Sequence, residues 1–534
     1  MMLDKPQELV TFLTQHLKPK ELEKKQNGEV FTPPNLIGQK FDKLTLYADP
    51  ELWSNPTLKF LDPANGIGNY PALEAYPRLM KGLEKVMPNV ELRKKHILEK
   101  MLYMCEINPK NVEVCRKIFD PEGVYAINLY QGSYLDLDPV KEWGVEKFDV
   151  IFGNPPYQPP SDGKKGGKSL WPTFVKRSIN ILKADGFLVF VHPALWRKPD
   201  NELHDLMFSK QIHYMSIHNI QEGKKTFQAG TRYDWYILQN KPVYKETLVK
   251  FDDNVKSSIM ITPALPYIVN HGGNIMEKVR GKISPTSGCL KTEMTCEGHT
   301  QREYISKQPK ETHPYPVFNS SSAANGIVLL WSSKALTHQY KKKVLFSNGG
   351  IIKPFYDAGG KFGTSQGGIY IFVNSDAEGN HITRFLSSKL ISYIVAATKW
   401  SNFETNKQIF WSIPHPKDLP ENFTDAQVYA YFGLTAEEIG CIEQDQHGAG
   451  GLADYVALEA PAVNVPAQVV AQVVPDVLVP VPAVPVPAVL VPVPANTDYT
   501  KMIVKDLKQL CKDRKVKGIS GKTKEELIAL LTKA

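Results

Sequence analysis

Between about residues 58 and 190 the chain alternates short apolar runs with helical stretches, and that alternation leaves few folds open. LKFLDPA, MLYMCEIN, YAINLYQGSYL, KFDVIFGNPPY and the apolar end of FVKRSINILKADGFLVFVHP read as strands. Residues 74 to 100 and the segment NVEVCRKIF read as helices between them. Strands this apolar are buried on both faces and need helices above and below, so the expected architecture is a doubly wound α/β sheet with a parallel core. In such a sheet a ligand lies beyond the carboxyl ends of the strands, where the strand order reverses.

Polar residues mark those ends. The first strand runs into Asp62, Pro63, Ala64, Asn65, Gly66, Ile67 and Gly68, where the two glycines let the backbone pass close to a ligand and Asp62 can bond an amine or a cation. The second ends in Glu106, placed to accept hydrogen bonds from a ribose diol. A third, IFG, stops at Asn154, Pro155, Pro156 and Tyr157. Two prolines remove two backbone donors and fix two φ angles, so the sheet cannot continue through them.

Taken together, D-P-x-x-G-x-G, an acid after the next strand and then N-P-P-Y resemble the motif order of the S-adenosylmethionine-dependent amino-methyltransferases, and specifically of N6-adenine DNA methyltransferases. Upstream, residues 28 to 34, GEVFTPP, are similar to the F-T-P segment of the class with a C-terminal target-recognition region. The likeness covers roughly residues 25 to 240 and extends more weakly, through KWSNFETNKQIFWSIPHPKDL and YFGLTAEEIGCIE, to about 443.

The resemblance implies a Rossmann-like methyltransferase sheet that binds S-adenosyl-L-methionine. Phe31, Thr32 and Pro33 would wall the methionine end of this cofactor. Asp62, Pro63, Gly66 and Gly68 would hold its amino-acid and backbone side, Glu106 its ribose hydroxyls, and Ile107 its adenine ring. Asn154 and the Pro155 carbonyl would accept the two hydrogens of the target amine, with Pro156 stiffening the turn. Tyr157 would stack on a base flipped out of the duplex. Phe227 is the expected second stacking partner, with Tyr233 as the alternative. Ser133 stands where the family often has an acid, so that contact would be weaker or pass to Asp136. The same N-P-P-Y turn also serves N4-cytosine, glutamine-amide and RNA-guanine methylation.

The expected organisation is a catalytic domain over residues 1–240, a target-recognition region over 241–455, a linker over 456–497 and a small helical module over 498–534. Proline recurring every two to four residues through the linker rules out a membrane helix and favours an extended spacer. The last segment, DYTKMIVKDLKQLCKDRKVKGISGKTKEELIALLTKA, has two apolar helical faces around a basic turn and resembles the SAP domain, a DNA-binding helix-loop-helix in which Lys522 would touch the substrate. Double-stranded DNA is therefore the expected partner, and the net charge of +8 permits it. GKKGGKS, at 163–169, lacks the spacing of a phosphate-binding loop and reads as a basic loop beside the target nucleotide. Six cysteines without zinc-ligand spacing suggest no metal, and they and an N-terminus without a signal peptide suggest an intracellular protein, in cytoplasm or nucleus. A monomer is expected, and modification without cleavage, since residues 1–27 leave no room for a nuclease domain and the sequence offers no convincing P-D…E-x-K constellation.

Overall fold

In a computed structural model, the structure describes residues 2–16, 32–158, 169–322, 326–401, 405–444, 451–453, 455, 461–463, 523–526 and 528. The chain divides into two compact units, Met1–Val470 and Ala471–Ala534.

A nine-stranded mixed sheet organises the first unit. Its strands are β1 (Phe60–Asp62), β2 (Leu102–Glu106), β3 (Asn128–Gln131), β4 (Phe148–Gly153), β5 (Leu182–Pro193), β6 (Lys210–His218), β7 (Tyr233–Pro242), β8 (Thr247–Lys250) and β9 (Lys256–Ile259). They lie in the order β3-β2-β1-β4-β5-β7-β6-β8-β9. The first five run parallel, and β7 reverses against β5. Chain order therefore reverses between β1 and β4, the place where such a sheet opens a crevice.

Alternation along the strands explains why both faces are covered. Leu61, Tyr103, Cys105, Ile151 and Leu188 enter one apolar cluster, while Phe60, Met104, Val150, Phe152 and Val189 enter the other. Successive side chains of a strand point to opposite faces, so an unbroken apolar run demands two cores. The helices Pro34–Tyr47 and Pro109–Phe119 contribute to the second cluster, and Trp171–Asn180 to the first.

Two expectations shift. The helical region 74 to 100 is broken into Tyr76–Gly82 and Val90–His96, each joined to a π-helical turn, Pro71–Ala75 and Ile97–Met101. Pro88 disfavours helix at the residue before it, and Asn89 starts the second helix by accepting from the Leu92 N–H at 3.0 Å. The sheet also runs past residue 240, because β8 pairs with β6 and β9 with β8.

Beyond the sheet, the described residues of the first unit form a four-stranded sheet (Ile305–Ser306, Gly326–Ser332, Tyr315–Ser322, Gly363–Thr364), a three-stranded one (Gly350–Asp357, Lys343–Ser347, Gly368–Phe372) and, between Asp376 and Gln444, four α-helices and a short 3-10 helix, Lys407–Ser412. In the second unit, Thr523 and Glu526 form a reciprocal cap at the start of a helix, Glu526 accepting from the Thr523 N–H at 2.8 Å. Apart from residues 461–463 and Ile528, the linker and the remainder of the SAP-like segment, Lys522 included, lie outside the described residues.

Arg197 joins the large sheet to the region after it. Fully buried, it donates through Nε to Asp234 Oδ2 on β7 at 2.7 Å, through Nη1 to the carbonyls of Ile268 and Val269 at 3.0 Å each, and through Nη2 to Asn270 Oδ1 at 2.8 Å. Asn270 in turn donates to the Lys399 carbonyl at 2.9 Å. Losing one partner of such a pair strands a charge in a dry interior. Arg197→Leu is expected to destabilise the protein by about 3–5 kcal/mol. Lys176→Ala, which breaks an exposed pair with Glu202, should cost about 1 kcal/mol or less. Chemical denaturation of the two variants measures the contrast.

Candidate active site

A cavity of about 400 Å3 opens at the carboxyl edge of the parallel strands. Four strand ends supply most of its wall: residues 63–66 after β1, 106–109 after β2, 132–135 after β3 and 154–158 after β4. Thr32, Asn69 and Tyr70 close one side, and Leu170 and Phe174 another. Its size suits a ligand of cofactor dimensions.

The turn after β1 depends on glycine. Gly66 and Gly68 have φ of 56° and 93°, and a Cβ at 68 would sit 2.7 Å from the Phe119 ring. Turned this way, the Gly66 N–H donates to Glu106 Oε2 at 2.7 Å, while the Asn108 N–H donates to Oε1 at 2.7 Å. Glu106 is thereby held in one orientation, and the Asn111 amide donates to the same Oε1 at 3.5 Å. Asn65 donates through Nδ2 to Cys115 Sγ at 3.0 Å. The Oδ1 atoms of Asn65 and Asn69 are buried at the cavity and have no partner among the described residues. A ligand rich in N–H and O–H groups fits this wall, since buried acceptors without donors are costly.

Beneath the cavity lies a polar knot. Lys40 is fully buried; it donates to the Tyr70 hydroxyl at 2.5 Å and to the Gly153 carbonyl at 3.4 Å. Tyr70 donates onward to Thr32 Oγ1 at 3.2 Å. Asp62 Oδ1 accepts from the Ala64 N–H at 3.1 Å, and its Oδ2 is buried without a partner among the described residues. Burial pushes the Asp62 carboxyl up to about 8, against the pull of the Ala64 N–H and the Lys40 ammonium, with Glu106 adding to the rise. Burial pushes Lys40 down, against the Asp62 charge. Gly153, at φ 150°, allows β4 to end against this knot, since a Cβ there would stand 2.8 Å from Asp62 Oδ1.

Of the residues singled out in the sequence, Thr32, Pro63, Gly66, Glu106, Ile107, Ser133, Asn154, Pro155, Pro156 and Tyr157 all line the one cavity. Asp62 lies under its floor, and Pro33 and Gly68 shape the wall without lining it. Ser133 Oγ accepts from the Leu135 N–H at 3.2 Å, and Asp136 is exposed away from the cavity. Phe227 does not reach the cavity: it ends the helix Ile220–Phe227 and packs edge-on to Tyr233, 4.8 Å away, in the second apolar cluster. Its helix is amphipathic, and Phe227 falls on the buried stripe. The described aromatics that line the cavity are Tyr70, Tyr134, Tyr157 and Phe174. Tyr157 accepts the Leu170 N–H at its carbonyl at 3.2 Å, and its hydroxyl is buried without a partner among the described residues. Burial, with Tyr233 and Asp234 nearby, holds that phenol well above its usual range. Phe31, the basic loop over 163–168 and Lys522 lie outside the described residues.

Sequence reading missed Lys40, Tyr70, Asn69 and Phe174. Lys40 left a signal: with Leu36, Ile37, Phe41 and Leu44 it occupies the apolar stripe of its helix, and a lysine at a core position needs a reason. The other three carry none, because aromatic and amide residues beside turns are common.

Comparison with known proteins follows the same lines. An "Uncharacterized adenine-specific methylase" of Mycoplasma pneumoniae is 29% identical over 240 residues, 32% of this chain, and the chain spans 56% of that relative's length. The Type IIL restriction-modification enzyme MmeI, solved in complex with DNA, is 12% identical with a TM-score of 0.40, over 74% of this chain and 68% of that one. The ATP-dependent Type ISP restriction-modification enzyme LlaBIII, bound to DNA, is 12% identical with a TM-score of 0.45, over 70% and 36% of the two chains. Residues 94–227, which hold Glu106 and the Asn154 turn, match the family model described as Eco57I restriction-modification methylase.

Proposed function

We propose that the protein is an S-adenosyl-L-methionine-dependent DNA methyltransferase that modifies the N6 amine of an adenine flipped out of double-stranded DNA. The observation that carries the reading is the convergence of Thr32, Gly66, Glu106 and the Asn154–Pro155–Pro156–Tyr157 turn on one cavity, with Glu106 and the turn inside the segment that matches the methylase family. When bound, S-adenosyl-L-methionine supplies a methyl group on a cationic sulfur.

Every other task falls to the chain. Glu106, fixed by two backbone N–H groups, accepts ribose hydroxyls, and Ile107, 57% exposed on the wall, offers an apolar face to the adenine ring. Thr32, ordered by Tyr70, borders the other end. Asn154 Oδ1 and the Pro155 carbonyl accept the two amine hydrogens, which draws the nitrogen lone pair out of conjugation and aims it at the methyl carbon. Catalysis of this kind is positioning: no side chain becomes covalently bound. Proline at 156 keeps the turn rigid and brings no N–H to compete for the acceptors. Tyr157 presents its ring to the flipped base. The SAP-like tail, with Lys522, would add phosphate contacts and therefore salt-sensitive affinity.

Incubation with methyl-labelled cofactor and duplex DNA, followed by digestion, should place the label in N6-methyl-2′-deoxyadenosine. Label in N4-methylcytosine, in protein or in RNA would overturn the proposal. Asn154→Ala should lower single-turnover methyl transfer by on the order of 10²–10³-fold while cofactor affinity stays near wild type. Asp62 gives a pH test. A cationic ligand above it favours the carboxylate, so cofactor affinity should rise as pH climbs through about 8 and level off above. Calorimetric titration across that range should show the rise in the wild type and a flat profile in Asp62→Asn.

A further inference from the structure

A second cleft, about 280 Å3 in volume, lies between the large sheet and the region that follows it. One wall comes from the segment that leaves β5 and includes Lys198 and Asp200; the other includes Thr405, Lys407 and Gln408. Because β4 and β5 are parallel neighbours, this segment and the Asn154 turn emerge from the same edge of the sheet. DNA that delivers a base to the first cavity must pass along that edge.

The chemistry of the cleft is unusual for a protein surface. Thr405 is only 2% exposed, yet its hydroxyl has no partner, and Gln408 Oε1 is likewise buried and unpartnered among the described residues. Two such groups on one wall forgo hydration without compensation, which points to a ligand that supplies it. Lys198 and Lys407 form no ion pair among the described residues; the Lys407 ammonium lies 6.0 Å over the Trp411 ring. Asp200, exposed at the rim, is the one carboxylate among the described lining residues. The ligand must therefore offer an anion to the two ammonium groups and an acceptor to the hydroxyl, together with an N–H donor for the amide oxygen.

We propose that this cleft binds one nucleotide of the DNA substrate outside the target base. Its phosphate lies between Lys198 and Lys407 and accepts from the Thr405 hydroxyl, while a base amino group donates to Gln408 Oε1. Gln408 is then a specificity-determining residue, since an amide that accepts at Oε1 from the adenine N6 amine and donates from Nε2 to N7 pairs bidentately with adenine alone. The proposal rests on the DNA-methyltransferase reading above, and it adds an interaction that the reaction chemistry itself does not require.

The test uses the full chain and duplex DNA in fluorescence anisotropy over a salt series. Removing the protein's hold on one phosphate should lower the slope of log affinity against log salt by about 0.9. Lys198→Ala with Lys407→Ala is therefore expected to reduce the slope by about 0.9, with cofactor binding unchanged as the control for folding. Thr405→Val, close in shape, should weaken DNA binding several-fold. Gln408→Met should alter which bases flank the methylated adenines when modified DNA is sequenced for N6-methyladenine. An unchanged salt slope in the double lysine variant overturns the site, as does an unchanged flanking preference in Gln408→Met. Wild-type protein that neither binds nor methylates DNA overturns the underlying reading instead.

Discussion

A guanidinium shut away from water sets the relation between the large sheet and the region after it. Arg197 directs its donors to Asp234, Ile268, Val269 and Asn270, and three of those acceptors belong to the connection that leads out of the sheet. A planar, forked donor suits this task because its hydrogen bonds share one rigid geometry, where a lysine would offer a point charge. Asn270 and Trp400 extend the same polar seam, the indole donating to the Ile268 carbonyl at 2.8 Å. Apolar packing continues it, since one cluster runs from Leu61 and Phe190 through to Phe410 and Phe432. The two proposed ligand sites therefore sit on a single framework.

At the carboxyl edge, buried polar groups organise the structure in a different form. Lys40 supports Tyr70 and the Gly153 carbonyl, and Tyr70 supports Thr32, so one cation orders two sides of the cavity from below. Asp62 balances that cation through space, its Oδ1 being taken by the Ala64 N–H. The Asn154 turn thus begins from a strand end whose last carbonyl is fixed. A turn so anchored can present acceptors to a substrate amine without reorganising, which is what positioning catalysis requires.

Much of this is legible in the sequence, for physical reasons. Unbroken apolar runs such as those around Phe152 and Val189 betray strands buried on two faces, and the motifs after β1, β2 and β4 have to share an edge once those strands are parallel. Long-range packing is not legible. Nothing local distinguishes Phe227, which turns into the core, from Phe174, which reaches the cavity from a helix beyond the basic loop. Composition over 74 to 100 favours one continuous helix, and the strength of Pro88 and Asn89 as a break outweighs it. Residues 241 to 440 resist reading because short glycine-punctuated strands pair across long separations, as when Val317 pairs with Gly363.

The pairing of β8 with β6 carries a practical consequence for anyone dividing the chain. A fragment ending near residue 240 would strip β8 and β9 away and leave β6 as a bare margin, with alternate N–H and C=O groups facing water. Apolar side chains at Ile212, Met215 and Ile217 would lie beside that margin. Such an edge is a template for pairing with another copy, so the isolated piece would tend to aggregate whatever its catalytic competence. A cut placed after β9 instead would keep that margin paired.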